Sequence, residues 1–402
     1  MSDVNKNFLP NGFWVNGIHC GIKRSKNRDL GLFYSFSPCI ASGVFTSNQI
    51  KSASVLISQK HIRNKIRCIV ANSGCANTAT GKLGLRDAIT MCDYVSKFIG
   101  FNESNSVLVA STGVIGEYLP MDKIKQGLEK LCNYLIDKKP YSINNAAESI
   151  MTTDTVPKIV SSKYNIGNSE IKIISFAKGS GMIHPSMATF LCFILTDCNI
   201  SKRILDHALK SVVNNTFNML SIDGVTSTND TVFCLANGSA GNKKITEYNN
   251  DYRKFYLHLN YVCSEISKKI VSDGEGATKL IEINVINAKT KNDAKKIAEK
   301  IATSPLVKTA FFGNDANWGR VLTAVGMSGV RINPSKIDIY FNNYCLCKNS
   351  QLLDFSEKKV KKILDNKKVN ITVDLHTGKE KIKYYTCDLS FDYVKINAHY
   401  RT

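Results

Sequence analysis

Lys178-Gly-Ser-Gly-Met-Ile-His-Pro-Ser-Met-Ala-Thr189 runs directly into Phe190-Leu-Cys-Phe-Ile-Leu-Thr196. Two glycines, a proline and small residues therefore stand ahead of an almost unbroken apolar run, which reads as a buried strand opened by Thr189. A glycine-rich turn lets the backbone approach a ligand or adopt strained angles. Ala188 leaves room for a side-chain oxygen at 189 to reach the preceding carbonyl. Two readings stay open from these residues alone. One is a plain turn into a core strand. The other is a junction at which Thr189 attacks its own peptide bond, exposing an α-amine whose reference pKa of about 8 suits a general base beside the hydroxyl nucleophile.

Upstream of this stretch, Gly43–Thr46, Ser54–Ser58, Ile66–Ala71 and Ser106–Ser111 read as strands, the last ending in Thr112-Gly113. Gly84–Phe98 and Met121–Asp137 read as helices, the second starting after Pro120. Glu170–Phe176 alternates polar and apolar residues as a strand does. Downstream, Ser201–Asn214, Leu257–Ser272 and Asp293–Thr303 predict helices, and Leu280–Ile286, Lys336–Asn342 and Val369–Asp374 predict strands. The mixture is α/β or α+β, with no internal repeat, no dinucleotide-binding GxGxxG and no P-loop.

The 402 residues carry 53 Lys+Arg against 33 Asp+Glu, a formal charge of +20, which excludes an acidic tail protein or a peptide hormone. Hydrophobic residues make up 43% of the chain, enough for a large core, and the length suggests about two to three domains. No apolar run approaches the ~18 to 20 residues of a membrane span, and the opening Met1-Ser-Asp-Val-Asn lacks a signal-peptide core. The expectation is an unsecreted, cytoplasmic protein with no membrane partner. Thirteen cysteines scattered mostly singly, without CxxC pairs, read as free thiols and not as a metal or disulfide framework. The lysines concentrate at 123–139, 289–300 and 358–368, at helical spacing, which predicts solvated helix faces. No Arg-rich arm or aromatic RNA-binding motif accompanies them, so no nucleic-acid partner is expected.

The Lys178–Thr189 run resembles the signature of the ornithine acetyltransferase family, the glutamate N-acetyltransferases of arginine biosynthesis. Other stretches are similar to that family in the same order along the chain: Gly17–Lys23, Asn72–Asn77, Ser111–Gly116, Met151–Thr155, Asp223–Asp230, Asp273–Lys279, Gly313–Arg320 and Asp392–Asn397. The resemblance implies an α/β layered sandwich of sheets between helices, the fold of self-processing threonine-nucleophile enzymes. It also implies cleavage between Ala188 and Thr189, giving an α chain of residues 1–188 and a β chain of 189–402 that assemble as a heterotetramer of two α and two β chains.

Carried onto this sequence, the resemblance makes Thr189 the nucleophile and Thr112 and Gly113 the oxyanion hole. Thr152, Lys178, Thr189, Glu275, Asn397 and Thr402 become the substrate contacts. These residue types suit an amino acid: Lys178 is a point charge for a carboxylate, Glu275 an acceptor for an ammonium, and the Thr and Asn groups orient by neutral hydrogen bonds. Thr153 stays open beside Thr152. The implied reaction is ping-pong: acetyl passes from N2-acetylornithine to Thr189 as an ester and then to glutamate, without metal or redox cofactor. Some relatives also take acetyl-CoA as co-substrate, and nothing in the sequence decides between the two types. Ser186 and Cys75 depart from the family, where Asn is common at both positions. His184, five residues from Thr189, is not expected to be catalytic. Two rival readings are a self-processing amidase or aminopeptidase, which gives the acyl group to water, and a basic nucleic-acid-binding relative without activity.

Overall fold

The computed structural model describes residues 8–184 and 190–399. In chain order its strands are β1 (Phe13–Ile18), β2 (Leu30–Phe45), β3 (Ile66–Cys75), β4 (Val107–Val114), β5 (Lys158–Ile166), β6 (Ser169–Lys178), β7 (Leu191–Thr196), β8 (Leu220–Ser221), β9 (Thr231–Ala236), β10 (Leu280–Ala288), β11 (Asp338–Phe341), β12 (Tyr344–Lys348), β13 (Gln351–Leu352), β14 (Lys368–Asp374) and β15 (Glu380–Cys387). The helices are α1 (Ala53–His61), α2 (Gly81–Ile99), α3 (Met121–Ile136), α4 (Ile143–Ser149), α5 (Lys202–Asn215), α6 (Asn250–Ser272), α7 (Lys291–Ala302), α8 (Pro305–Phe312), α9 (Trp318–Gly326), α10 (Glu357–Leu364) and α11 (Phe391–His399).

One eight-stranded sheet runs β4-β3-β2-β9-β7-β6-β5, with β1 on β2. Its long strand β2 changes partners midway: Leu30–Tyr34 pair with β1 and β3, and Ile40–Phe45 pair with β9. The sheet is thereby folded into two halves that face each other, and alternation along each strand shows it. In β7, Leu191, Phe193 and Leu195 point into the space between the halves, and Cys192 and Ile194 point outward onto α5 and α6. In β4, Leu108 and Ala110 share that inner space, and Val107 and Val109 face α1, α2 and α3. The result is helix, sheet, sheet, helix, the layered α/β sandwich expected. Strands buried on both faces must be apolar throughout, which is why residues 190–196 show so little polar alternation. Phe33 meets Phe176 and Phe193 edge to face at 5.1 and 5.0 Å in the middle layer.

A second sheet, β13-β12-β11-β14-β10-β15-β8, packs one face on α7, α8, α9 and α10, and α6 touches both sheets. The lysine-rich segments fall on α3, α7 and α10, each of which buries one apolar face while most of the lysines face solvent. All thirteen cysteines are free thiols and all but Cys20 and Cys345 are buried. Among the described residues no helix is long and apolar enough to cross a membrane.

One expectation fails. Ser54–Ser58 is not a strand but the first part of α1, where the Ser52 side chain caps the helix by accepting from the Val55 N–H. A short apolar run does not separate helix from buried strand; the serine ahead of it was the available signal. The helix expected at Leu257 begins earlier, at Asn250, behind the Asn249 cap. Strand β7 starts at Leu191; Thr189 lies outside the described residues.

Candidate active site

Beyond Lys178, the chain leaves β6 and is held at four points. The Gly179 N–H donates to Asp154 Oδ1 at 2.7 Å, and the Ser180 carbonyl accepts from the Glu275 N–H at 2.7 Å. Met182 and Ile183 both donate backbone N–H groups to the Asp223 carboxylate, the second at 2.8 Å. These clamps come from the Met151–Thr155, Asp273–Lys279 and Asp223–Asp230 stretches, so three of the ordered motifs meet at residues 179–183. At Gly181 a Cβ would lie 2.4 Å from Glu275 Oε2, so a side chain there would displace the carboxylate. Residues 185–189, with the Ala188 and Thr189 of the expected cleavage site and Ser186, lie outside the described residues, as does Thr402.

Opposite this loop stands the end of β4. Strands β3 and β4 run parallel with their register broken at Cys75, and Gly113 takes φ +130°. A Cβ on Gly113 would sit 2.3 Å from the Gly74 carbonyl carbon, so only glycine fits. The Asn229 amide fixes the same corner by donating to the carbonyls of Ala76 and Ser111, each at 2.7 Å. Thr112 Oγ1 accepts from Lys178 Nζ at 3.3 Å. A hydroxyl and a turn that only glycine can make thus stand side by side at the cleft wall.

The charges beneath the cleft are of two kinds. Lys158 Nζ, fully buried, reaches the buried Asp154 Oδ1 at 2.6 Å and the half-buried Asp273 Oδ2 at 2.5 Å. Burial pushes the Asp154 carboxyl up, but Lys158, Lys178 and the hydrogen bonds it accepts outweigh that and hold it at about 2. Lys178, by contrast, is pushed below the usual lysine range by burial, with Asp154, Asp230 and Glu275 resisting the shift. Burial raises Asp223 and, more strongly, Asp230. Behind the Thr152 loop, Lys23 Nζ donates to the Arg28 and Met151 carbonyls at 2.8 and 2.7 Å, and burial lowers its pKa to about 8.

These walls enclose a cleft of about 850 Å³ of empty space, counting its open mouth. Thr112, Gly113, Thr152, Lys178, Glu275 and Asn397 all line it, although they come from β4, the loop before β5, the end of β6, the loop after α6 and the C-terminal helix α11. Thr153 lines it too, its hydroxyl 2.6 Å from Ser180 Oγ. Glu275 accepts from Asn397 Nδ2 at 2.8 Å. Asp223, Asn229, Asp230 and Tyr393 also line the cleft and were given no role in the sequence reading, although all but Tyr393 lie at the ends of the Asp223–Asp230 stretch and Tyr393 lies within Asp392–Asn397. His184 turns away, its Nε2 3.3 Å from Glu299 on α7. Cys75 also points elsewhere, its thiol 3.2 Å from the Glu117 carbonyl. Among the described residues no group of three or more His, Cys, Asp and Glu could hold a metal ion.

The sequence model of the ArgJ family matches residues 14–402. The arginine biosynthesis bifunctional protein ArgJ of Caldanaerobacter subterraneus subsp. tengcongensis is 48% identical over 399 residues, covering 98% of both chains. That of Thermotoga neapolitana is 46% identical over 402 residues, covering 98% of this chain and 100% of its own. A crystal structure of the ArgJ protein of Bacillus halodurans superposes with a TM-score of 0.51 at 44% identity, covering 52% of this chain and 98% of that one. With the run after β6 held by Asp154, Asp223 and Glu275 at the edge of this cleft, the chain belongs to the ArgJ family, the acetyltransferases of arginine biosynthesis.

Proposed function

We propose that the chain cleaves itself between Ala188 and Thr189 and that the freed Thr189 moves acetyl from N2-acetylornithine to glutamate. The observation that carries this reading is the convergence of Thr112, Gly113, Thr152, Lys178, Glu275 and Asn397 on one cleft beside the loop that leads to Thr189. Thr189 attacks the acetyl carbonyl, its own α-amine takes the hydroxyl proton, and Thr112 with the Gly113 N–H stabilises the oxyanion. The amine returns the proton to the departing nitrogen of ornithine. Glutamate then attacks the acetyl-Thr189 ester and leaves as N-acetylglutamate. Lys178 takes the amino-acid carboxylate and Glu275, aimed by Asn397, the ammonium. Thr152 and Thr402 orient the substrate by hydrogen bonds.

No metal or redox cofactor enters this scheme, and acetyl-CoA is an alternative donor at the same nucleophile. Residues 1–188 and 189–402 are the α and β chains of a cytoplasmic α2β2 assembly. In keeping with cleavage, the Bacillus halodurans chain is matched along nearly its whole length by about half of this one.

Intact mass and N-terminal sequencing test the cleavage: fragments beginning at the natural start and at Thr189 are expected, and a single uncleaved 44.6 kDa species overturns it. Glutamate-dependent release of ornithine then separates transfer from the hydrolysis expected of an amidase or aminopeptidase.

A further inference from the structure

Asp230 has no role in the scheme above, yet its place is unusual. Lys178 pairs with Leu191, and Leu191 pairs with Thr231, so the ends of β6, β7 and β9 form one row across the sheet. Asp230 is the residue before Thr231 and lines the same cleft as Lys178. It is fully buried; Ser227 donates to its carboxyl, and Oδ2 has no hydrogen-bond partner among the described residues. Its neighbour Asn229 holds the Ser111 carbonyl behind the oxyanion corner, and the Thr231 N–H holds the Phe190 carbonyl at 3.0 Å. An asparagine would fill this space with less electrostatic penalty, and buried carboxyls without a full set of partners concentrate where a protein uses them.

We propose that Asp230 is a positioning residue that acts through Lys178: from the neighbouring end of the same row of strands, its buried carboxyl attracts the Lys178 ammonium across the cleft they both line without pairing with it directly. The proposal rests on the reading of Lys178 as the carboxylate-binding lysine. The two groups depend on each other. Burial lowers Lys178 and raises Asp230, and each charge offsets part of the penalty on the other. Lys178 is also faced by Asp154 from the loop before β5, by Lys158 on β5 and by Glu275 after α6, and Lys23 feels its charge. Asp154 is already engaged by Lys158 and the Gly179 N–H, and Glu275 by Asn397, so Asp230 is the acid in this group with an oxygen to spare.

The test reads Lys178 directly. The purified protein is labelled briefly with acetic anhydride across a pH series, and acetylation of the Lys178 peptide is followed by mass spectrometry, since only the neutral amine reacts. In Asp230→Asn the midpoint should fall by about one pH unit, because an opposite charge beside the ammonium has been removed. Glutamate-dependent transfer should lose its alkaline limb at the same lower pH. Asp230→Glu should return the midpoint toward that of the natural chain. Where the amide is not accommodated, Asp230→Ala carries the same expectation. A Lys178 midpoint unchanged in the neutral variants, or a loss of transfer equal at every pH, overturns the proposal. Labelling needs no turnover, so a natural chain that transfers no acetyl would sink the proposed function and leave this result readable.

Discussion

Two buried lysines stand on neighbouring antiparallel strands, and their surroundings differ in kind. Lys158 opens β5 opposite Ala177 and is clamped by two carboxylates at 2.6 and 2.5 Å. Lys178 closes β6 one residue further along and, among the described residues, donates to one neutral hydroxyl at 3.3 Å. The first is a completed ion pair, its cation met by two acids. The second is a buried cation with capacity left over. What separates structure from function here is how fully the charge is already answered within the protein, since a ligand carboxylate gains only from a cation that is not yet matched.

Replacing each lysine by methionine tests the contrast most severely. Lys158→Met leaves the buried Asp154 and its neighbour Asp273 without a counter-charge at ion-pair distance, and breaking such a pair costs about 3–5 kcal/mol. Urea unfolding should show that loss, with cleavage and activity falling together. Lys178→Met removes a cation that burial already disfavours and that no acid touches at ion-pair distance among the described residues, so unfolding should move by clearly less than for Lys158→Met, while transfer falls about 10- to 100-fold, the value of a hydrogen bond to a charged group. If the two variants exchanged these profiles, the division between them would be wrong.

Gly113→Ala carries the comparison to the partner of Lys178. The added Cβ meets Gly74 and Cys75 backbone at 2.3 and 2.6 Å and must push β3 and β4 apart at the Thr112 corner. Loss of one oxyanion donor costs about 10²–10³ in kcat. That fall should appear in kcat for both half-reactions, with KM for glutamate little changed. A KM effect alone would place Gly113 in binding and not in the chemistry.

Acid sharpens the Lys158 side. Asp154 sits at about 2 in the folded chain against an ordinary 3.8. A carboxyl depressed by folding contributes stability above its unfolded pKa and loses it as pH falls through the folded one. About 2 kcal/mol should therefore disappear between about pH 4 and 2. Asp154→Asn, less stable to begin with, should lack that portion of the acid slope; an unchanged slope would mean that Asp154 is not the linked group.

The sequence made one half of this contrast legible and hid the other. Thr112-Gly113, Lys178, Glu275 and Asn397 stand inside ordered motifs, and all of them meet at the cleft. Strands β4, β6 and β7 and helices α2, α3, α5 and α7 were readable from periodicity. Lys158 gave no signal, because its meaning depends on Asp273, a residue 115 positions away that only the fold brings near. Asp223 and Asp230 lay in plain view within a quoted motif, but acids act here by binding backbone N–H groups and by facing a lysine from another strand, which residue type alone does not announce. The helix at Ala53–His61 was missed for a local reason, since five apolar and small residues satisfy either period.

The smallest effect is expected at the far wall of the cleft. Helix α11 contributes Asn397 and Tyr393 yet buries none of its own residues, and Phe391 is 82% exposed with an edge-to-face contact to Phe312. Asn397 Nδ2 donates to Glu275 and to the Tyr393 carbonyl of its own helix. Asn397→Ala should leave stability within about 0.5 kcal/mol, as for other surface changes. It releases Glu275 to turn, so KM for the amino acid should rise about tenfold, the value of one charge-assisted hydrogen bond, with kcat nearly kept. A comparable loss of stability would show that α11 is part of the scaffold like Lys158. A loss in kcat as large as that of Gly113→Ala would place Asn397 with the oxyanion corner. A KM effect alone leaves it where the geometry has it, aiming an acid that the substrate must meet.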